Sequence, residues 1–240
     1  MNPIIIQDAI AIAANSTDEN VIASNTSLKA LQRLPWPAKI EIAFVQSAVD
    51  LAIDFDVGQN NVVLSSNGRV STGAPEVPFD VVNANAYGNT GDVLVIRAVN
   101  PTGSAITLRY IVTATPYAGA QLPPNTVVVQ QGPIAVADGS IDQQLLDGLR
   151  VERVPVPSLV DFLMTSSAAG LTRQIYLSQT RVAPPSTISL ANRVPQDPTD
   201  MTVGGIEAPM DKEINLQVTN QSGGSLNVFF KMLQHQLSRV

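Results

Sequence analysis

Residues 91–113 read GDVLVIRAVNPTGSAITLRYIVT, and residues 210–233 read MDKEINLQVTNQSGGSLNVFFKML. A shift of about 120 residues brings the two segments into phase, so that their apolar residues alternate together and Asn100 meets Asn220. Each segment has two runs of alternating polarity joined by a polar, Gly-containing loop, which is the pattern of a β-hairpin. Because strand side chains point alternately to opposite faces, one face of each strand is predicted to be buried.

The repeat extends beyond these segments. The sequence PWP at residues 35–37 recurs as PVP at residues 155–157, again with a shift of 120. The sequence IIIQ at residues 4–7 recurs as VVVQ at residues 127–130. Agreement at separate places along the chain indicates two copies of one domain rather than a local resemblance between two strand pairs.

The length of 240 residues is consistent with this division, since two domains of ordinary size fit within it. We predict a first domain at residues 1–118 and a second at residues 119–240. The segment PYAGAQLPPN at residues 116–125 contains three prolines and little hydrophobic pattern, and it is interpreted as the linker.

Charged residues make up 14% of the chain, against roughly 25% in a typical soluble protein. Two interpretations remain open. One is a β protein with a surface of Ser, Thr and Asn; the other is a surface that largely contacts other subunits, since the cores of interfaces are depleted in charge. Hydrophobic residues make up 45%, which is enough for a packed core and argues against disorder.

Several functional classes are disfavoured by the composition. The net charge is −6 and the fourteen basic residues are scattered, so we expect no direct, sequence-specific binding of nucleic acid. Cysteine is absent, which excludes disulfides and thiol catalysis. Residues 1–15 lack a basic segment and carry Asp8 within an apolar run, so we expect no signal peptide and synthesis in a cytoplasm.

The pattern also predicts secondary structure along the chain. Short helices are expected at residues 27–34 and 140–149, each beginning at a serine suited to cap a helix. The apolar-alternating run at residues 39–57 is too long for one flat strand and is expected to bend or divide near residues 48–49. Roughly eight short strands per half, with long Pro- and Gly-containing loops, predict an all-β protein of two tandem jelly-roll β-sandwiches.

With its duplicated Pro-x-Pro and paired-strand segments, this acidic, cysteine-free chain resembles the double jelly-roll major capsid proteins of tailless icosahedral viruses. Its compact size is similar to that of the capsid proteins of small lipid-containing bacteriophages. The resemblance covers the whole chain and concerns architecture rather than a diagnostic motif.

The resemblance implies a location and a set of partners. In this family three chains form a trimer of pseudo-hexameric outline, and the trimers tile an icosahedral shell. The chain would then be located in the virion, with copies of itself and neighbouring capsomers as its main partners. A vertex protein would be another capsid partner, and an internal membrane or the genome would lie beneath the shell.

The alternative is a tandem β-sandwich that binds carbohydrate or serves as an adhesion or tail module. Such a protein is expected to expose several aromatic side chains, whereas aromatics make up 5% of this chain. Trp36 is the only tryptophan, and its repeat partner is Val156, which favours packing over an exposed sugar platform.

An enzyme is the least supported class, and we assign no catalytic residue. His235 is the only histidine and follows the last predicted strand, so it is interpreted as a solvent or interface residue. Asp50, Asp54 and Asp56 are weak candidates for a structural Ca²⁺ site, because hard cations prefer several oxygen ligands. A solvated strand face is the alternative, and no other cofactor is expected.

Four apolar residues at matching positions of the repeat are predicted to lie in the core: Ile96, Leu108, Leu216 and Val228. Substitution of any one by alanine is expected to lower the free energy of unfolding by ~2 to 4 kcal/mol, because it removes buried methyl groups and leaves a cavity. Urea unfolding of the four variants measures this. An exposed Leu108 would contradict the predicted register.

Overall fold

The computed structural model contains two compact units, Met1–Val128 and Val129–Val240. The residues that it describes are 2–25, 29, 32–46, 51–58, 60–66, 86–146, 153–191, 195 and 201–238.

The first unit contains eight described strands and one short helix. They are β1 (Ile4–Ile12), β2 (Ser16–Asn20), α1 (Val21–Ser24), β3 (Ala38–Gln46), β4 (Ala52–Val57), β5 (Asn60–Ser66), β6 (Ala86–Gly88), β7 (Leu94–Asn100) and β8 (Ile106–Pro116). One sheet has the order β1-β8-β3-β6, and in the other β2, β7, β4 and β5 lie side by side. All the pairs described in this unit are antiparallel.

The second unit contains the remaining nine described strands. They are β9 (Thr126–Val136), β10 (Gln143–Gln144), β11 (Ser158–Ser166), β12 (Leu171–Leu177), β13 (Thr180–Thr187), β14 (Ser189–Leu190), β15 (Met201–Ala208), β16 (Ile214–Asn220) and β17 (Leu226–Gln236). Strands β9, β17 and β11 are neighbours in that order, and β15 also pairs with β11. The other sheet has the order β10-β16-β12-β13. The short β14 pairs with β11 in parallel.

The two units have the same strand order. In each, the first, eighth, third and sixth strands of the repeat form one sheet, and the second, seventh, fourth and fifth form the other. The register also repeats, since Ala98 on β7 lies opposite Glu19 and Val218 on β16 lies opposite Gln143. Two four-stranded sheets connected in this way form a jelly-roll sandwich, so the predicted tandem jelly rolls and their origin by duplication are confirmed.

The predicted hairpin is wrong in one respect. Strand β7 pairs with β2 and β4, whereas β8 pairs with β1 and β3, so consecutive strands lie in opposite sheets. The loop between them therefore crosses the sandwich, over the ~10 Å that separates packed sheets. Alternation shows which face of a strand is buried but not which strand is its neighbour. A crossing arch and a hairpin consequently have the same sequence pattern.

The helix predicted at residues 140–149 is wrong, whereas the helix predicted at residues 27–34 lies largely outside the described residues. The described helix is Val21–Ser24, whose N-cap Asn20 accepts hydrogen bonds from the amides of Ile22 and Ala23 at 3.2 and 3.3 Å. Within residues 27–34, Arg33 forms a β-bridge with Val93. Within residues 140–149, two residues form β10 and pair with β16. At residues 140–149 a sheet edge provided backbone partners that outweighed the helical spacing of leucines. Lys29 lies in a helical turn, and its amide donates to the Asn25 carbonyl at 3.1 Å. Residues 26–28, 30–31 and 147–149 lie outside the described part.

The long run at residues 39–57 divides, as predicted, into β3 and β4. These strands belong to different sheets, and residues 47–50 between them lie outside the described part. The side chains of Ile96, Leu108, Leu216 and Val228 are all fully buried. The energetic cost of truncating them stays a prediction.

A buried asparagine connects the two sheets of the first unit. Asn100, the last residue of β7, donates from its side-chain amide to the carbonyls of Ile12 at 3.1 Å and Ser104 at 2.8 Å. Its side-chain oxygen accepts a hydrogen bond from the Thr102 amide at 3.0 Å. Ile12 ends β1 in the opposite sheet, so one fully buried side chain connects the β7–β8 arch to both sheets.

The second unit repeats this arrangement. Asn220 donates to the carbonyls of Val136 and Gly224, both at 2.8 Å, and accepts from the Ser222 amide at 3.0 Å. Val136 ends β9 as Ile12 ends β1. The two asparagines are 120 residues apart, and both are fully buried.

We expect Asn100→Ala and Asn220→Ala each to lower the free energy of unfolding by about 2 to 4 kcal/mol, because each leaves buried carbonyls without donors. Chemical denaturation followed by circular dichroism measures the loss. Asn227→Ala is the matched control, since this asparagine is exposed, and its effect should stay within about 0.5 kcal/mol. Equal stabilities of Asn100→Ala and Asn227→Ala would contradict the role of the buried amide.

Candidate functional site

The acidic cluster weighed as a calcium site lies beside an arginine. Asp54 and Asp56 are alternate residues of β4, and the buried carboxylate of Asp56 forms an ion pair with the guanidinium of Arg97 on the neighbouring β7. Asp50 lies outside the described residues. In the described part of the chain, no group of three or more His, Cys, Asp or Glu side chains is arranged to hold a metal ion. The structure thus places a positive side chain at this face, and the calcium site stays an untested prediction.

The single histidine contacts an aspartate. Nε2 of His235 on β17 lies 3.1 Å from Oδ2 of Asp161 on the adjacent β11. The other carboxylate oxygen of Asp161 accepts a hydrogen bond from the Gly205 amide at 2.6 Å. Gly205 has a φ of +70° and lies where the register between β11 and β15 shifts. Asp161 therefore binds the backbone at an irregularity in the pairing of β11 and β15, and the same carboxylate is the partner of His235.

Trp36 is buried, with 9% of its surface exposed, and its repeat partner Val156 is buried to a similar extent. A sugar-binding platform requires an exposed aromatic face, whereas Trp36 is buried just before β3 begins at Ala38. This position agrees with the packing role that the repeat suggested.

Large apolar side chains are exposed on both units. Those with more than half of their surface exposed are Ile5, Ile141, Leu190, Met210 and Leu237. Isolated apolar residues are common on protein surfaces, but this surface also carries few charges. These five side chains are the described apolar residues most available for contacts with other molecules. No helix in the described part is long and apolar enough to cross a membrane.

Two buried cationic side chains were missed by the sequence reasoning. Arg173 lies between Leu171 and Ile175 on the buried face of β12, at the position that Ile53 occupies in the first unit. Burial lowers the pKa of the Arg173 guanidinium and of the Lys231 ammonium group. The alternation in LTRQIYL at residues 171–177 was the available signal, since it places the arginine in phase with apolar residues.

Tyr110 is a further buried ionisable group. It is fully buried on β8, and Asp8 lies directly opposite it on β1. Burial, with a smaller contribution from the charge of Asp8, raises the pKa of Tyr110 to about 12. No described residue forms a hydrogen bond with the Tyr110 hydroxyl. The second unit has Phe230 at the matching position, and that ring is also fully buried.

We expect Tyr110→Phe to leave the free energy of unfolding at pH 7 unchanged or to raise it by up to about 1 kcal/mol, because it removes a buried hydroxyl without a described partner. Above pH 10 the unfolded tyrosine ionises while the folded one stays neutral, so the wild type should lose stability relative to the variant between pH 10 and 12. Urea unfolding across this range measures both effects.

Tyr176→Phe is the matched control, because the Tyr176 hydroxyl donates to Oε1 of Gln174 at 2.9 Å. This variant should lose about 0.5 to 1 kcal/mol at pH 7. A larger loss of stability in Tyr110→Phe than in Tyr176→Phe would show that the buried hydroxyl has a partner.

Comparison with known proteins gives a structural likeness alone. No protein-family model matches the chain, and no curated protein is significantly similar to it. The fold is similar to the crystal structure of the major capsid protein P2 from bacteriophage PM2, with 10% identity and a TM-score of 0.38 over 96% of this chain and 98% of that one. It is also similar to the STIV major capsid protein, with 7% identity and a TM-score of 0.35 over 97% of both chains.

Proposed function

We propose that this protein is a viral major capsid protein that self-assembles as pseudo-hexameric trimers into an icosahedral shell. The observation that carries the proposal is the duplicated jelly roll, in which both units have the same strand order and the same register. The role is structural, and no catalytic residue is assigned.

Duplication within one chain suits a hexagonal lattice. A subunit with two similar sandwiches has two similar sets of lateral surfaces, so a ring of three subunits presents six similar edges. Contacts of this heterologous kind close into a ring when the rotation between subunits is 120°. Three copies of one chain thereby fill a six-fold position of the lattice, while the true symmetry of the trimer remains three-fold.

The surface composition supports large interfaces. Charged residues make up 14% of the chain, and five large apolar side chains are more than half exposed in the described part. Permanent interfaces bury about 2,000 Å² or more and are depleted in charge at their centres. The alternative, a carbohydrate-binding or adhesion module, is weakened by the burial of Trp36.

We further propose that the first jelly roll spans residues 1–118 and the second residues 119–240. Strand β8 ends at Pro116, and β9, which matches β1 in the repeat, begins at Thr126. The boundary then lies in the Pro-containing linker. The proposed location is the virion, where the partners are neighbouring capsomers, a vertex protein and an internal membrane beneath the shell.

The first test is the mass of the purified protein, measured by light scattering after size exclusion over a hundredfold range of concentration. The expected species is a trimer of three times 25.4 kDa, together with larger shells that are visible by electron microscopy. Because the proposed contacts are mainly apolar, the trimer should persist at 1 M salt, where charge pairs are screened.

The mass of the wild type is compared with that of a variant in which Ile141, Leu190 and Met210 are all replaced by aspartate. All three side chains are exposed. Its circular dichroism should match that of the wild type. A wild-type monomer at every concentration would overturn the capsid proposal, and binding in a glycan screen would then favour the adhesion module.

A further inference from the structure

The first strand of each sandwich has nearly the same sequence but a different exposure. The sequence IIIQ in β1 recurs as VVVQ in β9. On the inward face, Ile6 and its copy Val129 are both buried. On the outward face, Val128 is fully buried within the chain, whereas its copy Ile5 has 61% of its surface exposed. A strand face that is buried in one sandwich is therefore open in the other.

The same contrast extends to the neighbouring strand. Strand β8 lies beside β1, and β17 lies beside β9 at the matching place of the repeat. Ile111 of β8 is half-buried, whereas its copy Lys231 on β17 is buried. Gln7, which lies opposite Ile111, is exposed, whereas its copy Gln130 is buried. The difference thus involves a continuous outward face on two adjoining strands rather than one side chain.

Strand β1 also lies at the edge of its sheet. Among the described strands it pairs with β8, over all nine residues and without a shift in register. Natural proteins protect exposed edges with proline, lysine or a bulge. The edge strand β13 of the second unit has Pro184, Pro185 and two register shifts. Strand β1 has no proline, lysine or bulge, and its one charged side chain, Asp8, accepts a hydrogen bond from the Asn25 amide of the same unit.

We propose that the outward face of β1 is buried against a second copy of this chain. The inference rests on the proposed trimer, in which the two units of a chain take up equivalent positions around a ring. A face that is buried within the chain in one unit and open in its copy is the face that a second chain covers. Ile5 then has the buried surroundings that Val128 already has, and the free edge of β1 provides backbone groups for hydrogen bonds to the second chain.

The chain contains no cysteine, so one introduced thiol reports burial at one position. Ile5→Cys is the test variant, and Val128→Cys is the matched control because the two positions are copies in the repeat. The rate of maleimide labelling is measured for trimer isolated by size exclusion and for the same chain unfolded in urea. In the trimer both thiols should react at least about tenfold more slowly than in the unfolded chain.

Ile5→Asp tests the same contact through the stability of the trimer. A charge without a partner is costly in an apolar interface, so the protein concentration at which half of the trimer dissociates should rise at least about tenfold. Ile5→Val gives β1 the residue that β9 has, and its trimer should dissociate like that of the wild type. Circular dichroism checks that each variant keeps the fold.

This interface and the proposed capsid function fail in different ways. A wild-type monomer at every concentration overturns the capsid function and the interface with it. A stable trimer overturns the interface alone if the Ile5→Cys thiol reacts as fast as in the unfolded chain and Ile5→Asp leaves the trimer intact. Protection of that thiol only in larger shells also overturns it, because a contact outside the trimer would then cover β1.

Discussion

A buried asparagine at the end of β7, and its counterpart at the end of β16, join the two sheets of each sandwich. These residues are Asn100 and Asn220. Hydrogen bonds join the strands within each sheet, whereas the two sheets meet mainly through apolar side chains, whose contacts are not directional. Asn100 and Asn220 add directional bonds, because each amide donates to the carbonyl that ends the first strand in the opposite sheet. The same side chain also shapes the arch that carries the chain from one sheet to the other. The crossing is therefore expected to lose stability when this group is replaced by an apolar residue.

The two units also allow each position to be compared with its own copy in the same chain. Where both copies have the same residue, as at the two asparagines, a role in the fold explains why that residue is present. Where they differ, the same strand order accommodates either residue: Tyr110 corresponds to a phenylalanine and Arg173 to an isoleucine. Each of these two differences places a buried polar group at a position that is apolar in the other unit. They are the positions where the two units have diverged while the strand order has been kept.

Much of the fold could be predicted from the sequence, because alternation and internal repetition are both visible in the order of residues along the chain. The strands, their buried faces and the duplication follow from the segments at residues 91–113 and 210–233. The pairing of the strands could not be predicted, because an arch and a hairpin bury the same alternate side chains. The helix expected at residues 140–149 was wrong for a related reason, because leucine spacing does not reveal a nearby sheet edge. The repeat aligned Asn100 with Asn220. Their hydrogen bonds to the opposite sheet could not be predicted, because each joins residues more than 80 positions apart in the chain.

The divergence of the two units also bears on assembly. Glu41 and Asp161 occupy the same position in the repeat, yet Glu41 pairs with Lys39 on its own strand at 3.0 Å, whereas Asp161 contacts His235 on the neighbouring strand. The outward faces of the two sandwiches thus carry different charge patterns on the same backbone. In the proposed ring of three subunits, successive edges would alternate between these two patterns. Duplication would supply the hexagonal outline, and divergence would make the three-fold arrangement unique.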